Sequence, residues 1–289
     1  MGSTQEGLIL AERQRQAQQS IRAAAARDVL QLWRSGFDLS DIERSWGRME
    51  PAVEALVLNH RRRSSEAAAD FYTAHRTVER VPGRPRRPSP APAPDSRQLR
   101  YSLGYYGKVV PNELFRAGRL DVMQQAGTHL VGGATRHVSN GGRMTLDQAI
   151  MEDSQATGWQ RVTGPNPCAF CAMLASRGPV FKTGQSALRT GRVAAPETAR
   201  GTQQAGWGRM RSRSGGPGRA RDQSFHDHCQ CTAEPQYVNS DPWQERFPDA
   251  VEHRQMWNDA QREARDEGEL RRGTSNDALN AFRRKLGAT

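Results

Sequence analysis

Apolar positions recur at helical intervals along the first eighty residues of the chain. Residues 8–34 are rich in Ala, Gln and Arg and predict one helix, and a second predicted helix runs from Ser40 to about residue 81. Ser40 and Glu43 have the spacing of a capping box, and Pro51 predicts a bend. Large apolar side chains recur along one face of the second helix: Ile42, Trp46, Val53, Leu56, Val57 and Phe71. The pattern therefore predicts a helical region with an apolar face that needs a packing partner.

A proline-rich segment, VPGRPRRPSPAPAPDS, follows these helices. Proline at this density is incompatible with a helix or a central strand, so the segment is predicted to be an extended, semi-rigid linker. We therefore divide the chain into four parts. They are an N-terminal helical docking region (1–81), a Pro/Arg-rich linker (82–98), a main domain (99–240) and a charged C-terminal helical tail (241–289).

The main domain begins with a helical pattern that contains glycines. Gly132–Gly133 predicts an interruption, the sequence SNGGR predicts a turn, and Thr145 with Gln148 predicts a second capping box for a helix that ends near Gly158. Residues 159–162 then predict a short strand.

A long polar segment divides the second half of the chain. Residues 182–222 are dominated by Gly, Ser, Thr, Pro and Arg and predict a loop, whereas residues 249–268 predict a charged surface helix. The fold class is therefore predicted as α+β, mainly α. Long N-terminal helices and a Pro-rich linker precede a domain of helices and a small sheet, which carries a Cys/His zinc-type site.

Composition adds a strong positive charge. Lys and Arg number 42 against 31 Asp and Glu, a formal charge of +11, and nearly all the basic residues are Arg. This balance favours a polyanionic partner, nucleic acid first, although a GC-rich genome that encodes basic residues as Arg would give the same composition. The sequence has no run of about twenty apolar residues, so no membrane span is expected. It also shows no secretory signal, so the cysteines are expected to be in a reducing environment.

Four cysteines form two close pairs almost sixty residues apart. Cys168 and Cys171 have the spacing of a zinc knuckle, while Cys229 and Cys231 follow His226. Zinc takes four such ligands in a tetrahedron, which makes a structural zinc site the favoured interpretation. Which four of the five residues bind is left open. Disulfides, buried thiols and a catalytic Cys–His pair are the alternatives.

The order of these motifs resembles a known family. The chain contains C-x-x-C, then L-x-x-R-G-P-V-F, a variable polar loop and H-x-x-C-x-C. This order is similar to the C-terminal signature of phage Mu F-like minor head proteins, especially those of actinobacteriophages. The matching stretch, from Met144 to Val238, is about a third of the chain. In this resemblance the family signature falls on five residues: Cys168, Cys171, His226, Cys229 and Cys231.

The resemblance implies a minor capsid (head morphogenesis) protein of a tailed phage. Such proteins bind the portal inside the head and assist assembly, packaging or ejection beside capsid or scaffold proteins. The expected location is the interior of the virion head near the portal, and the host cytoplasm during assembly. Non-specific contact with double-stranded DNA is expected from an arginine-rich arm without a base-reading module. The arm comprises Arg209, Arg211, Arg213, Arg219 and Arg221.

Two other functions compete with this interpretation. A capsid maturation protease would need a nucleophile, a base and an acid brought together in space, and Ser224, His226 and Asp227 are too close in sequence to supply them from one strand. A free-standing nucleic-acid-binding regulator would need a compact basic reading module. The chain is therefore expected not to be an enzyme.

Overall fold

Long helices build most of the structure, a computed structural model that describes residues 4–164, 166–179, 230–266 and 275–287. The helices of the first half are α1 (Gln5–Gly36), α2 (Ile42–Val78), α3 (Ser96–Gly104), α4 (Val110–Arg116) and α5 (Val122–Glu152). Two strands and four shorter or later helices follow: β1 (Ala156–Val162), α6 (Ala169–Ala175), β2 (Thr232–Tyr237), α7 (Trp243–Arg246), α8 (Pro248–Asp266) and α9 (Ser275–Lys285). A mainly helical fold with one small sheet is thus confirmed.

The junction between α1 and α2 differs from the predicted capping box. Ser40 lies in a short 3-10 turn, where its main-chain N–H and its hydroxyl both donate to Asp38 Oδ1, at 2.9 and 2.7 Å. The cap of α2 is Asp41, whose carboxylate accepts from the main-chain N–H of Arg44 at 3.2 Å. Aspartate caps a helix as well as serine does, and two aspartates flank Ser40. The prediction of Ser40 as the cap was therefore wrong.

The apolar face of α2 is buried inside the chain. Trp46, Val53 and Val57 are almost inaccessible to solvent and belong to one core with side chains of α1, α3 and α5. Burying each such side chain contributes about 1.5–3 kcal/mol, so this core is a major source of stability. The packing partner that the pattern called for therefore lies in the same chain, and these side chains cannot form a surface for docking another protein.

The proline-rich segment has no helix or strand from residue 81 to residue 95, as predicted. Its main chain is nevertheless attached to the helices. Arg76 donates to the carbonyls of Pro82 and Gly83 at 2.7 and 2.9 Å, and Thr145 accepts from the N–H of Ala91 at 2.8 Å. Because α1 and α2 share a core with α5 across this segment, the first eighty residues are not a freely orienting arm.

Helix α5 continues through both predicted breaks. Its glycines lie where neighbouring groups come close: a Cβ at Gly133 would lie 2.3 Å from the ring of Tyr106, and one at Gly141 would lie 2.5 Å from the carbonyl oxygen of Arg61. Thr145 does not cap a helix but donates to the Gly141 carbonyl one turn earlier, at 2.9 Å. The glycines thus permit close helix packing, and tertiary contacts outweigh their poor helix propensity.

The sheet joins distant parts of the sequence. Strands β1 and β2 are antiparallel, with Val162 opposite Thr232 at one end and Ala156 opposite Tyr237 at the other. The strand predicted over residues 159–162 is confirmed and begins three residues earlier. Helices α5 and α6 pack against the sheet, and Cys231, just before the start of β2, lies in the same apolar cluster as Cys171 of α6.

The C-terminal helices complete a small third core. Helix α8 matches the predicted charged helix, but its Ala260 is buried with Leu174 of α6 and Phe282 of α9. The predicted C-terminal tail therefore packs against α6 of the main domain through buried side chains and is not only a charged surface helix. Within the described ranges, no helix is both long enough and apolar enough to cross a membrane.

Candidate metal centre and buried charge cluster

The first cysteine pair lies at the beginning of α6. Cys168 is the cap of this helix, and its sulfur accepts the main-chain N–H of Cys171 at 3.4 Å. Cys168 is half-buried and Cys171 is buried. The turn that caps the helix therefore keeps both sulfurs at one end of it, as a metal knuckle requires.

Closure of the sheet places a third cysteine in the same apolar cluster as this pair. Cys231 immediately precedes β2, and it is buried in the same apolar cluster as Cys171, with Cys168 packed against that cluster. Three of the five predicted ligands, from segments sixty residues apart, thus pack in or against one apolar cluster. The other two, His226 and Cys229, lie outside the described residues.

The three described cysteines match zinc in donor type. Sulfur is a preferred zinc ligand, and low exposure is typical of structural sites. In the described part of the chain, however, no group of three or more His, Cys, Asp or Glu side chains is arranged to hold a metal ion. A complete ligand set would have to include His226 or Cys229, so zinc stays a hypothesis.

An arginine with no distinguishing signal in the sequence contacts this region. Arg143 of α5 donates to the main-chain carbonyl of Cys231 from Nη2 at 2.8 Å and from Nε at 3.2 Å. The residue precedes the apolar stretch of α5 that packs on the sheet, and no motif in its local sequence predicts that it is buried. The contact depends on the antiparallel pairing of β1 with β2, which a single sequence does not reveal.

A buried cluster of charges lies where α2, β2 and α7 meet. Arg246 donates to Glu234 Oε1 at 2.6 Å and to Glu79 Oε1 at 3.1 Å, and its Nη2 lies 3.1 Å from His75 Nε2. The side chains of Arg246, Glu79 and Glu234 are only 1, 2 and 8 % exposed. His75 also lies 3.5 Å from the hydroxyl of Tyr237. The cluster therefore joins the end of the N-terminal helices to the sheet and to the C-terminal region.

Burial decides the protonation of this cluster. Burial, assisted by the charge of Arg246, lowers the pKa of His75 to about 3, so the imidazole is neutral at pH 7. Burial raises the pKa of Glu234, and the nearby Arg246 opposes that rise. The buried cation of Arg246 therefore pairs with two buried carboxyl groups, those of Glu79 and Glu234. This arrangement stabilises the junction only while all three groups are present.

A second polar contact strengthens the same junction. Asp153, just after α5, accepts from Arg76 Nε at 2.7 Å and from the Tyr72 hydroxyl at 2.9 Å. Although burial opposes it, the hydrogen bond from Arg76 holds the pKa of Asp153 below its usual value. Both clusters unite residues more than seventy positions apart, so no local pattern in the sequence identifies them.

The predicted DNA-binding arm lies outside the described residues. This holds for each of its arginines, Arg209, Arg211, Arg213, Arg219 and Arg221, and for Ser224 and Asp227 of the protease alternative. The DNA-binding arm and the protease alternative therefore stay predictions.

Comparison with known proteins identifies the family. Over 143 residues the chain is 33 % identical to the Gene 15 protein of Mycobacterium phage D29, an alignment that covers 46 % of this chain and 48 % of that protein. The alignment thus spans about half the length of this relative, and it supports a bacteriophage origin. No solved structure matches the chain. The family model described as VG15 protein matches residues 10–260, from α1 into α8. Since this match covers most of the chain, the protein belongs to the VG15 family.

Proposed function

We propose that this VG15 protein is a minor structural component of a tailed-phage head, bound to the portal inside the capsid. The observation that carries the proposal is the family match over residues 10–260, together with similarity to a gene product of a mycobacteriophage. The order of the cysteine motifs, which resembles that of Mu F-like head proteins, supports the same role.

The fold suits a structural part of an assembly. The N-terminal helices, the sheet and the C-terminal helices are joined by shared cores and by the charge cluster around Arg246. Because the apolar face of α2 is buried, contact with the portal must use exposed side chains, and the whole chain is the unit that docks. We propose that its role is structural rather than enzymatic.

The test uses the full chain and the portal protein of the same phage. Tagged chain co-expressed with portal should co-purify with it, and mass spectrometry of purified virions should find the chain in the head. A phage that lacks the gene should still cleave its capsid proteins normally. Absence from both the portal complex and the virion would refute the head role, and loss of capsid cleavage in the deletion would favour the protease.

DNA contact is a separate part of the proposal. The five arginines of the arm, together with the formal charge of +11, predict binding to phosphates without sequence preference. Replacing all five by alanine should weaken binding to every duplex alike and reduce the dependence of affinity on salt. Replacement of five arginines on exposed helical surfaces is the matched control for net charge. Equal effects of the two sets would mean that the arm is not the contact.

A structural zinc at the cysteines completes the proposal. Elemental analysis of reduced, purified protein should give about one zinc per chain, as expected for one tetrahedral site. A chelator should then destabilise the region of α6 and β2, because metal binding and folding are coupled. Protein from virions that contains two disulfides and no metal would refute the zinc.

A further inference from the structure

Four arginines lie close together in the stretch that follows α2. Residues 80–94 contain no Asp or Glu, so no acidic residue of this stretch offsets their charge. The four are Arg80, Arg84, Arg86 and Arg87. Arg87 pairs with Asp70 of α2 at 2.6 Å. The other three are exposed and form no ion pair with any residue that the structure describes, so their guanidinium groups are open to an external anion.

The main chain that carries these arginines is attached to the helices on both sides of them. Arg76 of α2 donates to the two carbonyls just before Arg84, at 2.7 and 2.9 Å. Beyond Arg86, the N–H of Ala91 donates to Thr145 Oγ1 of α5 at 2.8 Å. The arginines between these contacts therefore extend from a backbone whose path is fixed by the helices.

Prolines alternate with the arginines and stiffen the chain between the contacts. Pro82, Pro85 and Pro88 each fix their own φ near about −65°. Because the backbone has already lost its freedom on folding, binding through this segment has to order only the arginine side chains. The segment therefore presents its charges at a lower entropic cost than a chain that becomes ordered on binding.

The composition of the segment favours nucleic acid over protein as its partner. From residue 82 to residue 94 the side chains are those of Pro, Gly, Ala, Ser and Arg only, so a protein partner would gain no large apolar contact there. A guanidinium can instead bind two phosphate oxygens at once, and duplex DNA presents phosphates in a regular row. A second copy of the chain is disfavoured, since like charges would meet.

We propose that Arg80, Arg84 and Arg86 form an arginine ridge that binds the phosphates of double-stranded DNA without sequence preference. The choice of DNA as the ligand rests on the proposed function, in which the chain lies inside a phage head. The ridge is a contact separate from the arm at residues 209–221, because it belongs to the packed helical part of the chain.

The test measures the affinity of the full chain for labelled duplexes of different sequence over a series of salt concentrations. In the ridge variant all three arginines become glutamine: Arg80→Gln, Arg84→Gln and Arg86→Gln. The slope of log affinity against log salt should become shallower by about 2–3, because each phosphate contact contributes about 0.9 to it. Affinity should fall alike for every duplex. Replacing the same three arginines by lysine should preserve the slope, since counterion release depends on charge.

A matched control removes the same charge near the junction of α1 and α2. The control variant is Arg34→Gln, Arg44→Gln and Arg48→Gln, three exposed arginines that lie among the acidic residues Asp38, Asp41, Glu43 and Glu50. The control should change the slope by less than about one contact. All variants should keep the wild-type melting temperature, since every replaced side chain is exposed.

Each outcome decides between the ridge and its alternatives. Equal slopes in the ridge variant and the wild type, or equal losses in the ridge variant and the control, would overturn the ridge. The arm would stand if its own variant still lost affinity. A wild type that binds no DNA would refute ridge and arm together, while co-purification with portal would judge the head role independently. A ridge variant that binds DNA normally but no longer co-purifies with portal would assign the ridge to a protein partner instead.

Discussion

Replacing Arg246 by methionine should remove a large part of the stability of the protein. The substitution keeps an apolar chain of similar length but leaves Glu79 and Glu234 buried without the cation between them, at sites only 2 and 8 % exposed. Removing one partner from a buried ion pair costs about 3–5 kcal/mol. Domains are stable by only about 5–15 kcal/mol, so the variant should unfold at much lower urea concentration.

The loss should depend on pH in a defined direction. Without Arg246, the pKa of Glu234, already raised by burial, should rise further. The folded variant would then bind protons more readily than the unfolded chain, so its stability relative to wild type should increase as the pH falls. His75, relieved of the neighbouring charge, should also take up a proton more easily and pair with Glu79, which lies 3.7 Å away. The deficit should therefore be largest near about pH 7.5 and smaller near about pH 5.

Urea denaturation followed by circular dichroism, at both pH values, measures this deficit directly. The matched control is Arg87→Met, because Arg87 pairs with Asp70 at the same distance of 2.6 Å but with side chains 46 and 67 % exposed. An exposed pair contributes at most about 1 kcal/mol, so the control should lose little at either pH. Equal losses in the two variants, or a deficit at Arg246 that does not change with pH, would refute the reasoning.

Two further predictions concern helix packing and acid sensitivity. Gly141→Ala should destabilise the protein by about 1–3 kcal/mol in thermal denaturation, because the new methyl group would lie 2.5 Å from the Arg61 carbonyl. Gly47→Ala, on α2 with no heavy atom within 4 Å of the new methyl group, should instead stabilise by up to about 1 kcal/mol; the same sign for both would contradict the packing argument. Burial lowers the pKa of both His75 and His137 to about 3, so the unfolded chain binds more protons than the folded chain between that pH and about 6.5. As the pH is lowered through that range, the free energy of unfolding should therefore decrease by up to about 1.4 kcal/mol per pH unit for each histidine. His137→Gln should make the melting temperature less dependent on pH. An unchanged pH dependence of the melting temperature would argue against a neutral His137.

Local signals in the sequence were sufficient for most elements. The first helix, the second helix, the unstructured proline segment and the strand over residues 159–162 follow from spacing and composition, since those properties act between near neighbours. The four cysteines and the order of the motifs around them also indicated a phage protein from the sequence by itself. The charged helix at residues 249–268 was predicted to within two residues at each end.

Only the tertiary structure decided how these elements are used. The sequence around Gly133 and Gly141 predicted interruptions of the helix, yet α5 is continuous. Its neighbours leave no room for a side chain at either position, so glycine is needed there for close packing. The apolar face of α2 suggested a docking surface, yet it is buried by helices from beyond the linker. Arg246 and Arg143 gave no signal at all, because the groups they bind are brought to them by chain segments far away in sequence. Helix propensity and hydrophobic period act over a few residues, whereas the burial of a charge, or of Cys171 and Cys231 in one apolar cluster, is determined only when the whole chain has packed.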